Sequence, residues 1–95
     1  MNFEISNRAK QDLEEIFVFT IEKWSLKQAK LHYSYIFEEI NVICNTPKIG
    51  MSITEIKEYH RIWKIKSHLI IYKVKNEVIY IDRILHRRMD VIREV

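Results

Sequence analysis

The chain has 95 residues, 47% hydrophobic and 31% charged, a formal net charge of +3, and only one Gly, one Pro and one Cys. That length and composition favour one core spanning residues 1–95, built from long regular elements, and disfavour a second domain or a disordered chain. A lone Cys44 excludes an internal disulfide or cysteine zinc cluster, and with no secretory leader in the charged first ten residues and no run near the ~20 apolar residues of a membrane span, the cytoplasm is the expected compartment.

Phe3 and Ile5 alternate with Asn2 and Glu4, the period of a short strand with one apolar face. Ser6 then offers an N-cap oxygen to the free amides of a following turn. Ala9, Leu13, Ile16, Phe17, Thr20, Ile21 and Trp24 recur at three- and four-residue steps, which predicts a first helix with these residues on its core stripe and Arg8, Asp12, Glu15, Glu22 and Lys23 on other faces. Ser25 and Gln28 have the spacing of a reciprocal capping box, so a second helix is expected to start there. Its stripe is Ala29, Tyr33, Ile36, Ile40 and Ile43, with Phe37 and Cys44 at the margin, and Asn45-Thr46-Pro47 ends it. A break this short requires the two helices to form an antiparallel hairpin.

Residues 48–56, containing the lone Gly50, read as a loop with a short strand near its end. Tyr59–Ile65, His68–Val74 and Val78–Leu85 are rich in Ile, Val, Tyr and Trp and read as strands. The breaks at Lys66-Ser67 and at Lys75-Asn76-Glu77 fit only hairpins, with Asn76 in the left-handed region, and the three strands become an antiparallel meander. The expected architecture is α+β in the order β-α-α-β-β-β: an N-terminal strand, a two-helix hairpin and a three-stranded meander. The helices are expected on one sheet face, leaving the other free.

Charge is unevenly spread along this plan. Residues 1–50 hold six Lys/Arg against seven Asp/Glu, and residues 51–95 hold ten against six, together with His60, His68 and His86. The second half therefore suits an acidic partner, either nucleic acid or an acidic protein segment. Lys64, Lys66, Lys73 and Lys75 flank one hairpin, and Arg83, Arg87, Arg88 and Arg93 gather near the end. Trp24, Trp63 and Tyr72 are expected in the core, and His32 in a structural or exposed place on the second helix.

The order of several segments resembles the ParE/RelE toxin superfamily over nearly the whole chain. The segments are Ile5–Ile16, Trp24–Ala29, Asn45–Gly50, the pair His60-Arg61, His68, the pair Ile71-Tyr72, and Arg83-Ile84-Leu85-His86-Arg87-Arg88-Met89-Asp90. The last run resembles the C-terminal signature of the ParE branch. In the ribosome-dependent nuclease branch a His or Arg near the end of the last strand is commonly followed by a Tyr, whereas here Arg87 follows His86 and no Tyr occurs after Tyr80. His60 also stands where many relatives carry Tyr.

The ParE resemblance implies a toxin that inhibits DNA gyrase without cutting nucleic acid itself, with growth inhibition and plasmid stabilisation as its consequences. It implies neutralisation by a ParD-like or RelB-like antitoxin in a hetero-oligomer; no cofactor and no membrane partner are expected, and the four scattered His residues offer no metal site. The target-binding residues under this reading are Arg61, Arg83, His86, Arg87, Arg88, Met89 and Asp90. The alternative is a RelE-like, metal-free endoribonuclease acting on ribosome-bound mRNA. In it His68 or His86 moves protons while Arg61 and Arg83 hold phosphate oxygens; Arg83 and His86, three residues apart, point to opposite faces of an unbulged strand. A third reading is a degenerate relative that retains only antitoxin binding.

Overall fold

The computed structural model describes residues 1–95. Its elements are β1 (Asn2–Ile5), α1 (Asn7–Lys23), α2 (Leu26–Asn45), β2 (Met51–Ser52), β3 (His60–Lys64), β4 (His68–Lys75), β5 (Val78–His86) and a terminal turn of helix, α3 (Val91–Glu94). The five strands form one sheet in the order β1-β5-β4-β3-β2. The three meander strands lie within about a residue of where composition puts them. β1 extends the sheet by pairing parallel to β5, in the register Phe3 opposite Ile79 and Ile5 opposite Ile81. β2 pairs antiparallel to β3 at the other edge, falling mid-loop and not at the loop's end.

Local chemistry sets the helix ends. The Ser6 hydroxyl accepts from the Ala9 amide at 2.9 Å and donates to the Asp82 carbonyl at 2.8 Å, tying the start of α1 to β5. Ser25 accepts from the Gln28 amide at 3.0 Å. The reciprocal half of the expected capping box is absent, because the Ser25 amide donates to the Thr20 carbonyl. At the β4–β5 turn both Asn76 and Glu77 have positive φ, 51° and 62°. Two such residues give the turn whose twist matches the flanking strands.

The main core joins Ala9 and Leu13 of α1, Ile36, Ile40, Ile43 and Cys44 of α2, and Ile70, Tyr72, Ile79, Ile81 and Ile84 of the sheet. Several parts of the expected helix stripes are overturned: Ile21 and Tyr33, expected in the core, are 38% and 44% exposed. Trp24, the C-cap residue at which α1 stops, is 71% exposed. Asp12, assigned above to a solvated face, is buried on the stripe.

The expected free sheet face is overturned as well. Ile53, Ile71 and Leu85 form a second buried cluster, closed over by Ile62, Val91 and Val95. Ile70 and Ile71, like Ile84 and Leu85, are adjacent residues in different clusters, so β4 and β5 bury both faces. The 53–59 loop and α3 supply part of the second cover. No helix is long and apolar enough to cross a membrane.

Candidate functional site

The sequence positions proposed for chemistry fall into three separate places. Arg83 lies past the end of β1, where β5 continues paired only to β4. A register shift between Ile71 and Tyr72 leaves Asp82 as an extra residue on β5, with Ile71 opposite Arg83 and Tyr72 opposite Ile81. Beyond this bulge the Ile84 amide lacks a strand partner and donates to Asp12 Oδ2 at 3.0 Å. The same carboxylate accepts Arg83 Nε at 2.8 Å and Nη2 at 3.1 Å, a two-pronged pair. Arg83 Nη1 also donates to the Glu94 carbonyl at 2.9 Å. The hydrogen bonds to Asp12 raise the Arg83 pKa against the opposing effect of burial. Arg83 thus joins α1, β5 and α3, with its donors committed inside the fold.

Arg61 sits opposite Tyr72 in the β3–β4 ladder and directs Nη1 to the Gly50 carbonyl at 2.7 Å. His68 lies four residues along β4 from that rung, about 13 Å at strand spacing. The four residues of the nuclease alternative are therefore not assembled around one point. His60 lies apart as well: Nδ1 is 2.8 Å from the Glu58 carbonyl, and Nε2 is 3.6 Å from Asp82, which pairs with Lys57 at 2.6 Å.

The third place is a groove of about 840 Å³ between the helical hairpin and the far ends of β4 and β5. Its apolar wall includes Phe19, Trp24 and Leu31, which are 61%, 71% and 56% exposed. Together they give the hairpin an exposed apolar rim of the kind that marks a binding surface. At the sheet end His68 and His86 are opposite one another in the ladder, ring centroids 5.5 Å apart, and His32 of α2 lies 5.2 Å from His68. Burial lowers the His68 pKa to about 4, with His32 and His86 adding to the effect; burial and then Lys66 lower that of His32. His32 and His68 are therefore neutral at pH 7.

Sequence spacing missed this grouping. His32 was expected to be structural or exposed, and only the folding of α2 across the sheet brings it to His68. The available signal was the two-residue β3–β4 turn, which fixes His68 at a strand start and, through an antiparallel partner, places it opposite the end of β5. Met89 also lines the groove.

The segment His86–Asp90 follows directly. All five residues are exposed. The Arg87 amide donates to the Ser67 carbonyl at 2.9 Å and the Arg88 amide to His86 Nδ1 at 3.2 Å, so the backbone is pinned while both guanidinium groups are without ion pairs. Asp90 caps α3 by accepting from the Ile92 amide at 3.0 Å.

The family model for the ParE toxin of the type II toxin–antitoxin system parDE matches residues 3–91. A Toxin ParE1 of Mycobacterium tuberculosis is 34% identical over 92 residues, covering 96% of this chain and 94% of that protein. A Toxin ParE1 of Caulobacter vibrioides is 28% identical over 88 residues, covering 93% and 91%. A solved structure described as a chromosomal ParDE TA system from P. aeruginosa has the same fold, with a TM-score of 0.79 at 18% identity, covering 90% of this chain and 95% of that one.

Proposed function

The chain belongs to the ParE toxin family of type II toxin–antitoxin systems, and from that premise we propose that it arrests growth by engaging DNA gyrase and trapping its cleaved DNA intermediate. The carrying observation is the exposed run His86–Asp90, whose two unpaired guanidinium groups stand on a pinned backbone. Arg87 and Arg88 meet an acidic surface, DNA phosphate or carboxylate, with Met89 and Asp90 completing the contact. His86 orients the segment through the Arg88 amide. Arg83 supports the surface from within, its Nε, Nη1 and Nη2 all donating inside the fold, while Arg61 is anchored at its edge through Nη1 to the Gly50 carbonyl.

The same geometry disfavours the ribosome-dependent nuclease. Proton transfer needs an acid or base within hydrogen-bond reach of its substrate, and His68 is buried while Arg83 is held by Asp12. A cognate ParD-like antitoxin is the proposed neutralising partner. Its amphipathic segment would lay apolar residues on Phe19, Trp24 and Leu31, making the stable form a hetero-oligomer in the cytoplasm.

Expression without antitoxin tests the reading. Growth arrest with gyrase covalently trapped on chromosomal DNA is the expected outcome. Codon-positioned mRNA cuts with intact DNA support the ribosome instead, and unimpaired growth with normal protein levels supports a relative that only binds antitoxin.

A further inference from the structure

His32, His68 and His86 come from α2, β4 and β5, and nothing in the toxin activity proposed above uses His32 or His68. His68 is the middle ring, only 8% exposed, and its Nδ1 is buried with no hydrogen-bond partner. A neutral imidazole tolerates that position, since an unprotonated nitrogen loses one acceptor bond. A protonated ring there buries an unpaired N–H together with a charge. His86 Nδ1 accepts from the Arg88 amide, a bond that exists only while that nitrogen is unprotonated.

The surrounding charges do not offset protonation. Lys66, on the β3–β4 turn, stands 5.0 Å from the Tyr35 ring and faces His32 with the same sign. Arg87 and Arg88 continue directly from His86. On the α1 side Asp12 is taken up by Arg83, and Glu15 lines the groove without pairing to any of the three rings. His32, His68 and His86 have no carboxylate within ion-pair distance.

We propose that His32, His68 and His86 form an acid-sensitive latch: neutral, they hold the start of α2 against the ends of β4 and β5 and close one end of the groove; protonated, they part these elements and free the 86–90 segment. The latch belongs to the fold itself and does not depend on gyrase being the target. Its direction follows from linkage. The His68 value in the closed form, about 4, lies below the 6.5 of an unconstrained ring, so its contribution to closure is complete above pH 6.5 and is lost as pH falls towards 4. At pH 5 protonation of an opened His68 alone favours the open form by roughly 30-fold.

Amide hydrogen exchange on the full chain at pH 7.5 and pH 5, normalised to intrinsic exchange rates, tests the latch. The expected result is a fall in protection of roughly 30-fold within residues 26–36 and 86–90, with β1 protected at both pH values. In His32→Gln the fall becomes smaller, because one like-charged neighbour is gone. The imidazole proton resonances of the wild-type chain supply a reading independent of any variant and are expected to titrate together with the loss of protection. Unchanged protection at pH 5, equal loss in β1, or three imidazoles titrating independently near 6.5 would overturn the proposal.

Discussion

Asp12 accepts from Arg83 Nε, Arg83 Nη2 and the Ile84 amide, so one carboxylate holds the stretch of β5 that β1 leaves unpaired. Asp12→Ala leaves a guanidinium buried without its counter-charge, and a loss of about 3–5 kcal/mol is expected from urea denaturation. Asp12→Leu combined with Arg83→Met removes both charges and is expected to recover most of that loss; a double variant as unstable as Asp12→Ala would contradict the account. The residue was legible in part. Three positions after Ala9 and four before Ile16, Asp12 lies on the apolar stripe, and a carboxylate there implies a buried cation. Its partner was not legible, because the bulge at Asp82 that directs Arg83 round the sheet edge leaves no sequence signature. Gly50 presents a different constraint: a Cβ there would lie 2.8 Å from both the Ile62 carbonyl oxygen and the Tyr72 hydroxyl. The Tyr72 hydroxyl is itself held, accepting from the Gly50 amide at 3.0 Å and donating to the Pro47 carbonyl at 2.7 Å. Gly50→Ala is therefore expected to destabilise the chain by about 1–3 kcal/mol, seen as a lower Tm.

Helices and strands were readable because periodicity and caps are local. Ser6, Ser25 and Pro47 mark the helix ends in sequence, and the aliphatic runs mark the meander. The pairing of β1 with β5 was not readable, since a four-residue strand carries no record of which edge it joins. The covered second face was present in the letters: His68-Leu69-Ile70-Ile71-Tyr72 is continuously apolar after its first residue, as a strand buried on both sides must be. What covers it, Ile53 and the short α3, lacks a periodic signal of its own. The β4–β5 turn yields a further expectation. Glu77 is held at φ 62°, a region that penalises a side chain, so Glu77→Gly should raise stability by up to about 1 kcal/mol, measured as a higher denaturation midpoint. An unchanged or lower midpoint would show that the Glu77 side chain contributes more than its backbone strain costs.

Across the whole molecule, cationic and apolar surfaces are separated and adjoin at Met89. The hairpin rim of Phe19, Trp24 and Leu31 suits an amphipathic antitoxin segment, and the basic run after β5 suits the target. Changing Trp24 to Ala should therefore weaken antitoxin binding by more than tenfold in a titration while leaving the fold intact, because this indole lies largely in solvent. Unchanged affinity would remove the hairpin rim from the antitoxin interface. Family membership was legible from the order of weak fragments, which the fold spreads over both helices of the hairpin and four of the five strands. The division of labour among the site residues was not, because it depends on which arginines are already paired, a property of the packed chain.

The most direct test is the yield of gyrase-linked double-strand breaks in supercoiled plasmid when purified protein is added to gyrase, compared between the wild-type chain and Arg87→Glu/Arg88→Glu. Breaks are expected with the wild type, and at least a tenfold lower yield with the variant, both proteins folding alike. Equal yields from the two proteins, or no breaks with either, would contradict it.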